Sequence, residues 1–191
     1  MKEIEAFRDA LARGPEFLKE TSPPAKAIGY LCAFVPEELI LAAGFHPMRL
    51  FSSQPEIRLA DQHLQSYCCS PVKGILEDSL SGSYDFLYGA VFPQTCDTIT
   101  RLSDIWRLKH KHAFFADLSW PSKLNTPTSL DYVKQVLTQF RSQLEEAAGQ
   151  QIEEDALMDA VATCNRIRTH IRRLYQIKSD QPDALAAADL Y

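Results

Sequence analysis

The chain has 191 residues, 46% of them apolar and 24% charged, with Lys+Arg 20 against Asp+Glu 25 and a formal net charge of -5. This composition excludes a disordered chain, a collagen-like repeat and a disulfide miniprotein. The acidic balance leaves no basic footprint for nucleic acid, and the longest apolar runs fall far short of the ~20 residues that span a bilayer.

Ile4 to Leu18 reads as a short amphipathic helix, and its acidic start is unlike a signal peptide, so a cytoplasmic location is expected. Thr21, Ser22, Pro23 and Pro24 break the chain. Ala27–Leu31 is a first strand candidate, followed by a helix over Pro36–Ala43, with Pro36 suited to its first turn and Gly44 to its stop. His46–Phe51 is a second strand. Leu59–Leu80 has helical spacing, disturbed at Pro71, and Phe86–Phe92 is the third and clearest strand. Asp97–Lys109 is helical, and Ala113–Leu118 forms a fourth strand. Strands alternating with helices in this way specify βαβ units and a parallel sheet of about four strands over residues 23–120. After Trp120 the strands stop. Tyr132, Val136, Phe140 and Leu144 mark one helical face, and Leu157, Val161, Cys164, Ile167, Ile171 and Leu174 mark another. The reading is therefore an N-terminal helix over 1–22, an α/β domain over 23–120 and a helical segment over 121–191. The tail has no evident stop, so a second domain is expected beyond it.

Five cysteines, at 32, 68, 69, 96 and 164, include no Cys-x-x-Cys pair. The odd count argues for free thiols or metal ligands. In an open parallel sheet, ligands sit outside the carboxyl ends of the strands. Cys32 follows the first strand and Cys96 the third, so two thiols 64 residues apart in sequence are expected at one rim. On the helix over 59–80, Leu64, Cys68, Val72 and Ile75 share an apolar face, while Cys69 is rotated about 100° from Cys68. Cys69 is therefore the expected third member, with Cys68 as the alternative, and Cys164 reads as a core residue on its stripe. Three thiolates without a histidine partner favour an iron–sulfur cluster over zinc, and helix N-termini near Pro36 and Asp97 favour thiolate over thiol. His46, His110 and His112 read as surface or strand-end residues. Glu37 and Glu38 suit the first turn of a helix, and a place near the cluster is open to Glu38. Arg166, Arg168, Arg172 and Arg173 read as a solvated basic face. No phosphate-binding glycine loop is present.

Three segments resemble known motifs. Gly29-Tyr30-Leu31-Cys32-Ala33-Phe34-Val35-Pro36-Glu37-Glu38-Leu39-Ile40, followed by Ala43-Gly44-Phe45-His46-Pro47, resembles the opening motif of the 2-hydroxyacyl-CoA dehydratase family, which includes the ATP-dependent benzoyl-CoA reductases. Cys69-Ser70-Pro71-Val72-Lys73 resembles its second cysteine motif. Pro93-Gln94-Thr95-Cys96-Asp97-Thr98, leading to Ile105 and Trp106, resembles the third. The resemblance covers roughly residues 25–110 and continues more weakly towards Arg173.

The resemblance implies a flavodoxin-like α/β domain in which Cys32, Cys69 and Cys96 hold one air-labile [4Fe–4S] cluster. It implies a subunit that acts on an acyl-CoA substrate in anaerobic metabolism, as a lyase or an oxidoreductase. Its partners would be a related second subunit or a second copy, and an ATP-dependent iron–sulfur activator that injects one low-potential electron. In the dehydratases that electron generates a ketyl radical that expels the hydroxyl group; in the reductases related transfers reduce an aromatic ring, and some members carry a double-cubane cluster. The doubled Cys68-Cys69 departs from the pattern and leaves the second ligand open between them. A segment lacking the second domain is expected to be inactive alone. The competing expectation is a non-catalytic electron-transfer or scaffold subunit of the same fold.

Overall fold

The computed structural model describes residues 26–52, 56–123, 125–184 and 186. The expected helix over residues 4–18 and residues 187–191 of the tail thus lie outside the described residues. Four strands, β1 (Ala27–Tyr30), β2 (His46–Arg49), β3 (Gly89–Pro93) and β4 (Phe114–Leu118), form one sheet in the order β2-β1-β3-β4. Every pairing is parallel, with Tyr30 opposite both Arg49 and Val91 and Pro93 opposite Leu118. β1 and β3 are buried along their whole length, as expected of central strands covered on both faces. β2 is an edge strand and only partly buried.

The connecting helices are α1 (Glu37–Ala42), α2 (Ser70–Leu80) and α3 (Asp97–Lys109); two longer ones follow, α4 (Pro127–Ala148) and α5 (Glu154–Asp180). Two cores flank the sheet. On one face, Ala27, Leu31, Ala90 and Phe92 pack with Val72, Ile75 and Leu76 of α2 and Ile99, Leu102 and Trp106 of α3. On the other, Ile28, Tyr30, Val91, Phe114 and Ala116 pack with Leu39 and Ile40 of α1 and Phe140 and Leu144 of α4. At Gly89 an added Cβ would lie 2.5 Å from both the Cβ and the carbonyl oxygen of Phe114. Close approach of β3 and β4 therefore requires glycine there.

Three expectations need correction. The helix over Leu59–Leu80 is not continuous: a short 3-10 turn over Ala60–Gln62 is separated from α2, which begins only at Ser70. Pro71 is the cause, because a proline lacks the N–H of a helix interior but suits a first turn. The third strand starts at Gly89 rather than Phe86, since residues 81–86 are turns. The apolar stripe of α5 is buried only at Ala160 and Cys164; Ile167, Ile171 and Leu174 are exposed. Among the described residues, no helix is long and apolar enough to cross a membrane.

Candidate functional site

The chain leaves β1 towards α1 on one side of the sheet and leaves β3 towards α3 at the other edge, so the strand order reverses between β1 and β3. Such a switch point opens a crevice at the carboxyl ends of the two strands, because the connecting segments diverge there. Cys32 stands two residues beyond the end of β1, and Cys96 three residues beyond the end of β3. Both therefore flank the crevice.

Each cysteine is held by a distinct local device. Cys32 is half-buried and has φ 58, the one positive φ at a non-glycine among the described residues. The left-handed region is costly for a side chain with a Cβ, so the surrounding turn imposes it. Cys96 is exposed and caps the N-terminus of α3, its carbonyl accepting from Thr100 N–H at 3.1 Å. Cys69 is exposed and caps α2, with its carbonyl accepting from Lys73 N–H at 3.2 Å. Neither thiol-bearing residue caps its helix through the side chain, which leaves first-turn N–H groups of α2 and α3 without a side-chain acceptor.

The thiols feel one another. Burial pushes the Cys32 thiol above its ordinary value; the charge of Cys96 adds to this, Arg49 opposes it, and Cys69 adds again. The three cysteines and Arg49 thus share one electrostatic neighbourhood. Cys68 is buried in the first core beside Leu64 and Val72, and Cys164 is buried on α5. The contrast between Cys68 and Cys69 does not come from helical phase, since neither belongs to a helix interior: Cys68 closes the turn before α2 and Cys69 is its cap. Among the described residues, no group of three or more His, Cys, Asp or Glu is placed to hold a single metal ion.

Polar networks fix the surroundings. Gln94 donates to Asp117 at 2.8 Å and accepts from Thr100 at 2.7 Å, bracing the Cys96 loop between β4 and α3. Arg107 reaches the second oxygen of Asp117 at 2.7 Å. Tyr30 donates to Glu37 at 2.6 Å, and Glu38 pairs with Arg168 at 2.6 Å. Arg168 is therefore not part of a merely solvated face; it ties α5 to α1. Lys73, conspicuous in the second cysteine motif, is engaged by Asp61 at 2.7 Å. His46, His110 and His112 precede β2 and β4 or begin them, so they lie at the opposite end of the sheet from the cysteines. Sequence reasoning gave no role to Arg49 and Asp117, which carry no motif, or to Gln94, which lies in the third motif; all three gain meaning only from the tertiary fold. Exposed Phe34 and Phe51 follow β1 and β2, and exposed Tyr67 stands two residues before Cys69.

The family model for the D-component of 2-hydroxyglutaryl-CoA dehydratase matches residues 32–191. The chain belongs to this family. It is 31% identical to a benzoyl-CoA reductase subunit of Thauera aromatica, over 91% of this chain and 45% of that protein. It is 29% identical to the beta subunit of (R)-2-hydroxyglutaryl-CoA dehydratase of Acidaminococcus fermentans, over 97% of this chain and 50% of that one. With the beta subunit of lactoyl-CoA dehydratase of Anaerotignum propionicum the identity is 27%, over 84% of this chain and 42% of the relative. The chain spans about half the length of the curated relatives it matches. Dehydratase and reductase subunits are thus both among the relatives of this family member.

Proposed function

We propose that this chain forms the cluster-holding part of a subunit that dehydrates or reduces acyl-CoA thioesters, with Cys32, Cys69 and Cys96 as ligands of one [4Fe–4S] cluster. The observation that carries the reading is the position of Cys32 and Cys96 on either side of the β1/β3 switch point, with Cys69 within electrostatic reach of Cys32. The donor set fits such a group. Burial and the neighbouring Cys96 and Cys69 push the Cys32 thiol up, and a guest rich in positive charge removes that resistance by binding the thiolate. A cluster takes its thiolates on separate irons, so its ligands need not converge on one point as those of a single ion must. Two of the three thiols are exposed and therefore accessible. Bound there, the cluster would supply one-electron transfer at low potential.

The chain's own residues hold and orient. The turn at Cys32 fixes one thiol, and the caps of α2 and α3 present the other two beside positive helix ends, which favour a guest that is negatively charged once its thiolates are counted. Gln94 and Asp117 keep the Cys96 loop from moving. Phe34, Phe51 and Tyr67 offer apolar surface beside the rim, suited to the acyl part of a thioester. The relatives' names, which are those of subunits, support a second subunit as partner; an ATP-dependent activator as electron source is what the resemblance implies.

The test is anaerobic reconstitution with iron and sulfide, followed by iron counting in the parent and in five single cysteine-to-alanine variants. Loss of iron is expected for Cys32, Cys69 and Cys96, and retention for Cys68 and Cys164. A full cluster after removal of Cys32 or Cys96 would end the proposal; loss with Cys68→Ala but not Cys69→Ala would move the second ligand to Cys68. Turnover of acyl-CoA by the full-length protein with its activator then separates an enzyme component from an electron-transfer or scaffold subunit.

A further inference from the structure

The carboxyl rim of the sheet carries, on the edge strand β2, a cation that no sequence motif marks. Arg49 ends β2, and its register partner on β1 is Tyr30, two residues before Cys32. The Leu50 N–H donates to the Tyr30 carbonyl at 2.8 Å, so the ladder holds Arg49 beside the end of β1, at the rim from which Cys32 emerges. Three other basic side chains around the domain are engaged: Lys73 by Asp61, Arg107 by Asp117 and Arg168 by Glu38. Among the described residues no carboxylate pairs with Arg49.

We propose that Arg49 is a charge-setting residue: its positive charge, carried on β2 beside the end of β1, stabilises the added negative charge when one electron enters a cluster on Cys32, Cys69 and Cys96. This rests on the cluster reading given above. The step moves one electron from an external low-potential donor; no bond forms or breaks and no proton is needed. A fixed cation lowers the energy of the more negative, reduced state more than that of the oxidised state, so Arg49 raises the reduction potential. Arginine suits the task because it keeps its charge at every working pH and is weakly hydrated.

The experiment is an anaerobic redox titration of the reconstituted chain with dithionite and mediators, followed by electron paramagnetic resonance, for the parent, Arg49→Gln and Arg49→Lys. Equal iron in all three is expected. The one-electron equilibrium should shift about tenfold towards the oxidised form in Arg49→Gln, a midpoint about 59 mV more negative, with Arg49→Lys remaining near the parent. Because Arg49 is exposed, the gap should narrow as salt is added. An unchanged midpoint in iron-replete Arg49→Gln overturns the inference while leaving the cluster intact. A fall as large in Arg49→Lys as in Arg49→Gln also overturns it, since charge would not be the cause. Iron lost from Arg49→Gln, whether or not Arg49→Lys keeps it, overturns the inference, since Arg49 would then serve to retain the cluster rather than to set its potential. A parent chain that takes up no iron removes the cluster reading, and this inference with it.

Discussion

Replacing Cys32 by glycine and, separately, by alanine measures what the turn after β1 stores. Both variants lack the thiol, so they differ only in the Cβ and in the freedom of the unfolded chain. At an ordinary position glycine is the less stable of the two by roughly 0.5–1 kcal/mol, because its unfolded backbone has more conformations to lose. At φ 58 the Cβ meets the following carbonyl, a cost of about 1–2 kcal/mol that glycine does not bear. The two terms oppose each other, and the steric one is larger. Cys32→Gly should therefore be more stable than Cys32→Ala by about 0.5–1 kcal/mol, a difference of ~2–3 °C in midpoint for a chain of this size. Urea and thermal unfolding of the metal-free proteins, under reducing conditions, provide the measurement. If Cys32→Ala equals or exceeds Cys32→Gly in stability, the turn is not strained and the argument fails. A reversal of the usual order would mean that the fold sustains a backbone cost at the very residue proposed as a ligand.

Gly89→Ala should lower stability by about 2–3 kcal/mol, because the obstacle to its Cβ includes the Phe114 backbone and cannot rotate away; equilibrium unfolding checks this. Leu144→Ala should cost about 2–5 kcal/mol by opening a cavity between α4 and the sheet, whereas Ile171→Ala on exposed α5 should change stability by less than about 0.5 kcal/mol. Burial lowers the pKa of His46, His110 and His112 below 6.5, so the unfolded chain takes up protons before the native one does. The stability these histidines contribute is present above pH 6.5 and declines as pH falls below it; urea midpoints at pH 7 and 5.5 should show a decrease that His110→Gln reduces.

The sequence pattern located all four strands and both central cysteines because buried parallel strands are short apolar runs and the residues just beyond them occupy a predictable rim. It failed where one periodicity fits two structures. Leu64, Cys68, Val72 and Ile75 keep helical spacing across Pro71, yet the chain there turns and starts again, so the burial of Cys68 and the exposure of Cys69 arise from a cap rather than from helical phase. The stripe along α5 is equally regular, but regularity does not specify what covers it: Cys164 meets the domain, while Ile171 does not. Arg49 and the Arg168–Glu38 pair could not be read at all, since each depends on which elements the tertiary fold sets side by side.

The placement of the thiols on three separated segments also governs the order in which the molecule can assemble. Cys32 and Cys96 become neighbours only once β1 has paired with β3, a contact that must wait for β2 and α2 to be looped out between them. Non-local parallel pairing of this kind carries a loop-closure penalty before any reward, and it is intrinsically slow. A zinc finger gathers its ligands from one short stretch and can fold around its metal, but this chain must build most of its sheet before the crevice exists. Under the proposed cluster reading, iron uptake is therefore expected to follow the rate at which β3 docks against β1, and a nascent chain that has not yet reached β3 lacks both Cys96 and the crevice.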